Sequence, residues 1–257
     1  MTFSKQKVPY GSWPSPITTD QMLSDSVGLG EICVFDNSVY WIEMRPQENG
    51  RYVIVRRTAD GRTEDMIPAS FNARTRVHEY GGGSYLVFEK GLVFSNFTDQ
   101  NLYLVNTNGE CEALTDNDTC RYADMVYDRR HERLICVRED HSRQGQEAVN
   151  TIVAVSLTKP GQETVLVQGA DFYSSPRVSP DGSQLCWIAW QHPNMPWDNT
   201  RLFVTDIDRD DPSQQSLLVA GHNEAVCEPR WAEDNTLYFI SDRSNWWNLY
   251  RYKNKQV

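Results

Sequence analysis

Five short alternating segments recur along the chain at a nearly fixed interval: YVIVRR from 52, LYLVNT from 102, IVAVSL from 152, LFVTDI from 202 and LYRYKN from 249. Their starts lie 50, 50, 50 and 47 residues apart. Ahead of each stands a second strand-like run: VYWIEM, LVFSNF, LICVRE, LCWIAW and LYFISD. Before those come YLVF, DMVYD, SPRVSPDG and EPRWAEDN, the last two nearly superposable. Short runs such as TEDMIP, CEALT, TVLVQ and SLLVA follow the first four. A period of this size restricts the fold more than any other feature, because each repeat must be one structural unit that buries itself against its neighbours.

The unit reads as strand, turn, strand, longer loop, strand, turn, strand. Asn49-Gly50, Asp60-Gly61, Asn108-Gly109 and Ser179-Pro180-Asp181-Gly182 supply the tight turns. Hairpin follows hairpin with no helical crossover, so the sheets are antiparallel. Four-stranded antiparallel units at this spacing predict an all-β fold, a β-propeller, with blades near 28–67, 83–115, 121–167, 173–219 and 226–257. The last blade stops after its third strand. About five blades are therefore expected, the final one incomplete. Residues 1–27 read as an N-terminal extension with one short helix, where Thr18 and Gln21 have the spacing of a capping box and Gly28 is the stop.

Composition narrows the partners. With 25 basic and 35 acidic residues the net charge is −10, which argues against nucleic acid or an anionic membrane surface. No apolar run is long enough to span a bilayer, and the opening MTFSKQKVPYGSWPSP has no apolar export core. The six cysteines include no Cys-x-x-Cys pair, and several lie inside apolar runs. Reduced thiols and a cytoplasmic location are the expectation. The five histidines lack metal-ligand spacing, and neither a metal nor a cofactor is expected. DIDRDD from 206 has the start of a calcium loop, but Asp211 and Leu217 stand where glycine and glutamate are needed.

RVHEYGGGSY, from 76, poses the sharpest chemical question, since His-Gly-Gly-Gly segments form oxyanion holes in esterases. None of the 15 glycines has another four positions away, so there is no Gly-x-Ser-x-Gly elbow. The triple glycine is read instead as a place where backbones crowd or adopt positive φ. Arg76, His78 and Glu79 precede an innermost strand and so lie near the ring's mouth. Either a local Arg–Glu pair pins the loop, or a carboxylate there holds the free amine of a substrate. No catalytic residue is assigned. WQHPNMPWDNTRLF, from 190, is expected as a stiff loop in blade four whose Trp190 and Trp197 pack on each other or on the next blade. Trp246-Trp247 is read as packing between blades.

RVHEYGGGSY, SPRVSPDGSQLCWIAWQHPNMPWDNTRLFV and PRWAEDNTLYFISDRSNWWNLYR resemble the N-terminal propeller of prolyl oligopeptidase family serine peptidases, over about Ser15 to Tyr252. The bacterial dipeptidyl aminopeptidase/acylaminoacyl peptidase-like branch is the most similar. The HPNMPWD loop carries the likeness; SPDG repeats are shared with TolB-type propellers. The resemblance implies a seven-bladed-type ring, relative to which this chain is truncated, serving as a substrate-gating domain that caps an α/β-hydrolase domain bearing a Ser-Asp-His triad. No position here matches a triad residue, so this chain alone is expected to be inactive, with peptide substrate met through the hydrolase domain. The raw blade edges are expected to favour self-association. Two rivals are a stand-alone TolB-like interaction module, and a propeller lyase or lactonase, which would need clustered His, Asp or Glu at the axis.

Overall fold

Residues 7–24, 26–208 and 216–257 are described by a computed structural model. The period-2 pattern of each repeat becomes one meandering antiparallel sheet. Blade one is β1 (Gly28–Phe35), β2 (Ser38–Arg45), β3 (Arg51–Arg57) and β4 (Thr63–Asp65), paired in that order. Blade two is β5 (Tyr85–Phe88), β6 (Gly91–Ser95), β7 (Leu102–Asn106) and β8 (Cys111–Ala113). Blade three is β9 (Cys120–Asp128), β10 (Arg133–Asp140), β11 (Val149–Ser156) and β12 (Glu163–Val167). Blade four is β13 (Phe172–Val178), β14 (Gln184–Trp190), β15 (Arg201–Asp206) and β16 (Leu217–Ala220). Blade five has three strands, β17 (Val226–Trp231), β18 (Leu237–Ser241) and β19 (Asn248–Tyr252). The expected all-β propeller with an incomplete fifth blade is the fold observed.

The apolar residues explain why these sheets stack rather than stand alone. Strand β14, QLCWIAW, is buried almost throughout. Leu185, Trp187 and Ala189 point to blade three, whereas Cys186, Ile188 and Trp190 point to blade five. In β10, Leu134 and Cys136 face blade two, and Ile135 and Val137 face blade four. A strand buried on both faces belongs to two cores at once. Each neighbouring pair of blades therefore shares one core.

The turns behave as their sequences predict. Gly182 N donates to Ser179 O at 2.8 Å between β13 and β14, and Gly61 N to Thr58 O at 2.9 Å between β3 and β4. The helix α1 (Thr19–Ser24) carries the reciprocal cap. Gln21 N donates to Thr18 Oγ1 at 3.1 Å, and Thr18 N donates to Gln21 Oε1 at 3.0 Å. All six cysteines are unpaired, with Cys120, Cys136 and Cys186 buried. Among the described residues no helix is long and apolar enough to cross a membrane. The DIDRDD run lies partly outside the described residues, from Arg209 to Asp211.

Two packing expectations need correction. Trp197, expected to pack on Trp190 or on the next blade, is 62% exposed, whereas Trp190 does lie in the core shared with blade five and stacks on Phe172 at 5.3 Å. Trp246 and Trp247, on the turn between β18 and β19, are also exposed and do not pack between blades.

Candidate functional site

Antiparallel order divides the connections between two faces. First-to-second and third-to-fourth turns lie at one end of every blade; second-to-third turns and the crossovers between blades lie at the other. The crossover 66–84 and the turns 141–148 and 191–200 therefore share one face.

The RVHEYGGGSY segment does not run straight to β5. It straps across to blades three and four, where Val77 is buried beside Ala123, Ile135 and Trp187. His78 follows with φ 56° and Glu79 with φ 64°. Left-handed backbone at a non-glycine residue costs about 1–3 kcal/mol and persists only where surroundings impose it. Here His78 N donates to Glu139 Oε1 at 2.6 Å, and Gly81 N closes back on Val77 O at 2.8 Å. The His78 ring sits among Trp190 at 5.2 Å, Phe172 at 5.6 Å and Tyr80 at 5.6 Å. Burial lowers its pKa, against the pull of the Glu139 and Asp124 charges. Its Nε2 is buried without a partner.

The predicted trio is thus only partly united. Arg76 donates its backbone N–H to Gln100 Oε1 at 2.7 Å, and its guanidinium lies 5.6 Å over the Phe97 ring. Glu79 is paired with Arg121 at 2.6 Å, so the arginine that pins the loop comes from β9 and not from the loop itself. The Arg121 hydrogen bond holds the Glu79 carboxyl below its ordinary range. The same Arg121 atom donates to Arg76 O at 2.9 Å. His78 and Glu79 both line a groove of about 610 Å³ with Glu139, His141, Asn150 and Asp171.

The triple glycine has a packing explanation. A Cβ on Gly83 would stand 2.7 Å from Asp124 Oδ1, and one on Gly82 would stand 3.1 Å from the Ala123 Cβ. Gly83 N donates to Asp124 Oδ1 and Asp124 N to Gly83 O, both at 2.8 Å. These glycines press the strap onto β9, and the amides of Gly81 and Gly83 are already committed. An oxyanion hole is not what they form.

A feature of the inner strands escaped the sequence reading. Glu31, Asp124, Ser175 and Glu228 have φ between 49° and 55°, each inside a β-bulge of β1, β9, β13 or β17. Glu31 accepts Ser84 N at 2.7 Å and Ser84 Oγ at 2.9 Å from blade two. Asp124 bonds Gly83 on one side and Ser175 N, at 3.1 Å, on the other. Blades are thereby laced together around the axis. The near-identity of Ser175-Pro176-Arg177 and Glu228-Pro229-Arg230 was the visible signal. Among the described residues no group of His, Cys, Asp and Glu is arranged to hold a metal ion.

No family model and no curated protein matches the chain. Solved structures do. A puromycin-hydrolyzing peptidase of Mycobacterium tuberculosis is 35% identical over 96% of this chain and 40% of that one, with a TM-score of 0.86. A puromycin hydrolase is 32% identical over 98% of this chain and 42% of that one, with a TM-score of 0.89. TolB from Acinetobacter baumannii, 12% identical at a TM-score of 0.54, shares the fold alone. The chain spans about two fifths of the length of the two puromycin-hydrolyzing proteins it matches. Sequence likeness and fold agree over nearly all of its residues, and the chain belongs, as a β-propeller domain, to the prolyl oligopeptidase family.

Proposed function

We propose that the chain is the substrate-gating, non-catalytic propeller portion of a serine peptidase that hydrolyses short peptides, of the dipeptidyl aminopeptidase/acylaminoacyl peptidase type. The observation that carries this reading is identity of 32–35% with puromycin-hydrolyzing proteins over 96–98% of the chain. The absence of a Gly-x-Ser-x-Gly elbow in the sequence supports a gating and not a catalytic role. In this reading Arg76, His78 and Glu79 stand on the face that meets substrate, and the peptide is cleaved by acyl-enzyme chemistry in a hydrolase domain. A cytoplasmic location belongs to the same proposal, supported by six unpaired cysteines. The purified chain is expected to show no turnover of aminoacyl or dipeptidyl chromogenic substrates. Turnover that co-purifies with the chain through successive columns would overturn the non-catalytic assignment.

A second property is favoured by exposed apolar residues at both ends of the blade series. Leu29, Ile32 and Val34 on β1, and Leu249 on β19, lie open to solvent. Self-association through these faces is part of the proposal.

A further inference from the structure

Arg56 belongs to a cross-strand row in blade one. It stands opposite Tyr40 of β2 on one side and Glu64 of β4 on the other. Facing residues of this kind carry their side chains on one side of the sheet, about 5 Å apart. Two positions along, the facing pair Ile42 and Ile54 is packed into the core shared with blade two. At the Tyr40–Arg56–Glu64 row that core gives way to a groove of about 560 Å³ between the two blades. Asp36, Glu89 and Thr107 bring the β1–β2, β5–β6 and β7–β8 turns to it, so it lies toward the end of the blades opposite the strap.

The polar groups of this groove are unequally engaged. Asp65 is held by both Nη atoms of Arg45 at 2.7 Å, and Glu89 by Arg129 at 2.9 Å. Arg56 is different. Its Nη1 lies 3.4 Å from Glu64 Oε1, an ion pair without a hydrogen bond, and its Nε is buried with no partner. The side chain is 35% exposed, and its two Nη atoms are not sealed from solvent. The Tyr40 hydroxyl also has no hydrogen bond among the described residues, and it too is not sealed off. A guanidinium and a phenol thus stand side by side as donors lacking an acceptor. Beside them, Glu64 and Asp36 carry carboxylates that no cation among the described residues hydrogen-bonds. An anion alone would suit Arg56 but meet these two acids, and a cation alone would leave the guanidinium unanswered. A molecule with both charges on neighbouring groups answers all of them. Phe35, Phe88, Leu92 and Val105 add an apolar wall.

We propose that the groove between blades one and two binds a free α-amino acid with an apolar side chain. Arg56 Nη and the Tyr40 hydroxyl donate to its carboxylate, Glu64 accepts from its ammonium, and the side chain lies on the Phe88 and Leu92 wall. The volume is that of a small-molecule site, which spans about 300–1,000 Å³. The site is separate from the strap face, and the proposal does not depend on the gating reading.

The test titrates the 257-residue chain, isotope-labelled at its backbone amides, with leucine at a pH of about 6.5, where both charges of the ligand are present. Saturable shifts are expected at Gly91, Asn106 and Gly109, which line the groove from blade two. Leucinamide, which lacks the carboxylate, and N-acetylleucine, which lacks the ammonium, are each expected to bind at least about tenfold more weakly. Arg56→Gln is expected to weaken leucine binding at least about tenfold, and Glu64→Gln about threefold. Absence of saturation with leucine overturns the proposal, as does binding of either analogue as tightly as leucine. Shifts confined to the strap, residues 76–84, would put the ligand on the other face and equally overturn it. So does unchanged affinity in a folded Arg56→Gln variant. Should that variant not fold, Glu64→Gln, on an exposed strand, decides, and unchanged affinity there sinks the idea. Turnover assays on the chain, which test the gating reading, are independent of all these results.

Discussion

Glu224 sits almost wholly out of solvent, yet it ionises far below the usual carboxylate range. Burial alone would raise its pKa. Hydrogen bonds from Arg243, Ser241 and the backbone amides of Gly221 and His222 outweigh that and hold it at about 2. The residue ties the crossover between blades four and five to the second-to-third turn of blade five. Because the folded pKa lies below the unfolded value of 4.5, the stabilisation is fully present above pH 4.5 and is lost as pH falls toward 2. The contribution is up to about 3 kcal/mol. Urea unfolding across this acid window should therefore be steeper in pH for the native chain than for Glu224→Gln, which should also be less stable at neutral pH. Parallel curves would refute the assignment. At this scale local pairings were legible: Thr18 and Gln21 meet as their spacing predicts. The partner of Glu79 was not, because Arg121 is 42 residues away and reaches it only after the strap has crossed to blade three.

Strands and turns followed from period-2 alternation and from Gly, Asn and Asp at the hairpins. The bulges did not. A bulge adds one residue without disturbing the apolar pattern enough to be read, and its purpose here is to aim a side chain at another sheet. Asp124 shows the consequence. Its two oxygens bond the backbone of blades two and four from a strand in blade three. Hydrogen bonds to a charged acceptor contribute about 1.5–3 kcal/mol each. Asp124→Ala is expected to destabilise the chain by at least about 2 kcal/mol in urea, whereas Asp124→Asn, which keeps an acceptor and tolerates left-handed backbone, should lose less. Equal loss in the two variants would refute this account, since both the retained acceptor and the tolerance of left-handed backbone favour asparagine over alanine.

Across the described residues, four shared cores bind five sheets, and the two outermost faces expose part of their apolar surface. Blade one covers its outer strands on that side with charge, through Arg45 and Arg51 bonded to Glu43, Glu48 and Asp65. Its inner strand has no such cover, and Ile32 is 78% exposed. Light scattering on the chain should show mass rising with concentration, and Ile32→Asp or Leu249→Asp should reverse the rise. A monomer at every concentration would remove the proposal. The sequence by itself determined the blade: its length, its strand order, its turns and the two-faced apolar pattern that demands a neighbour on each side. All of these are local consequences of side-chain alternation and turn chemistry, which act over a few residues. Only the tertiary structure decided where the strap lands, which arginine neutralises Glu79, and that Arg56 keeps donors without an acceptor. Those facts depend on how sheets lie against one another about an axis, and residues dozens of positions apart acquire their partners only when that arrangement closes around them.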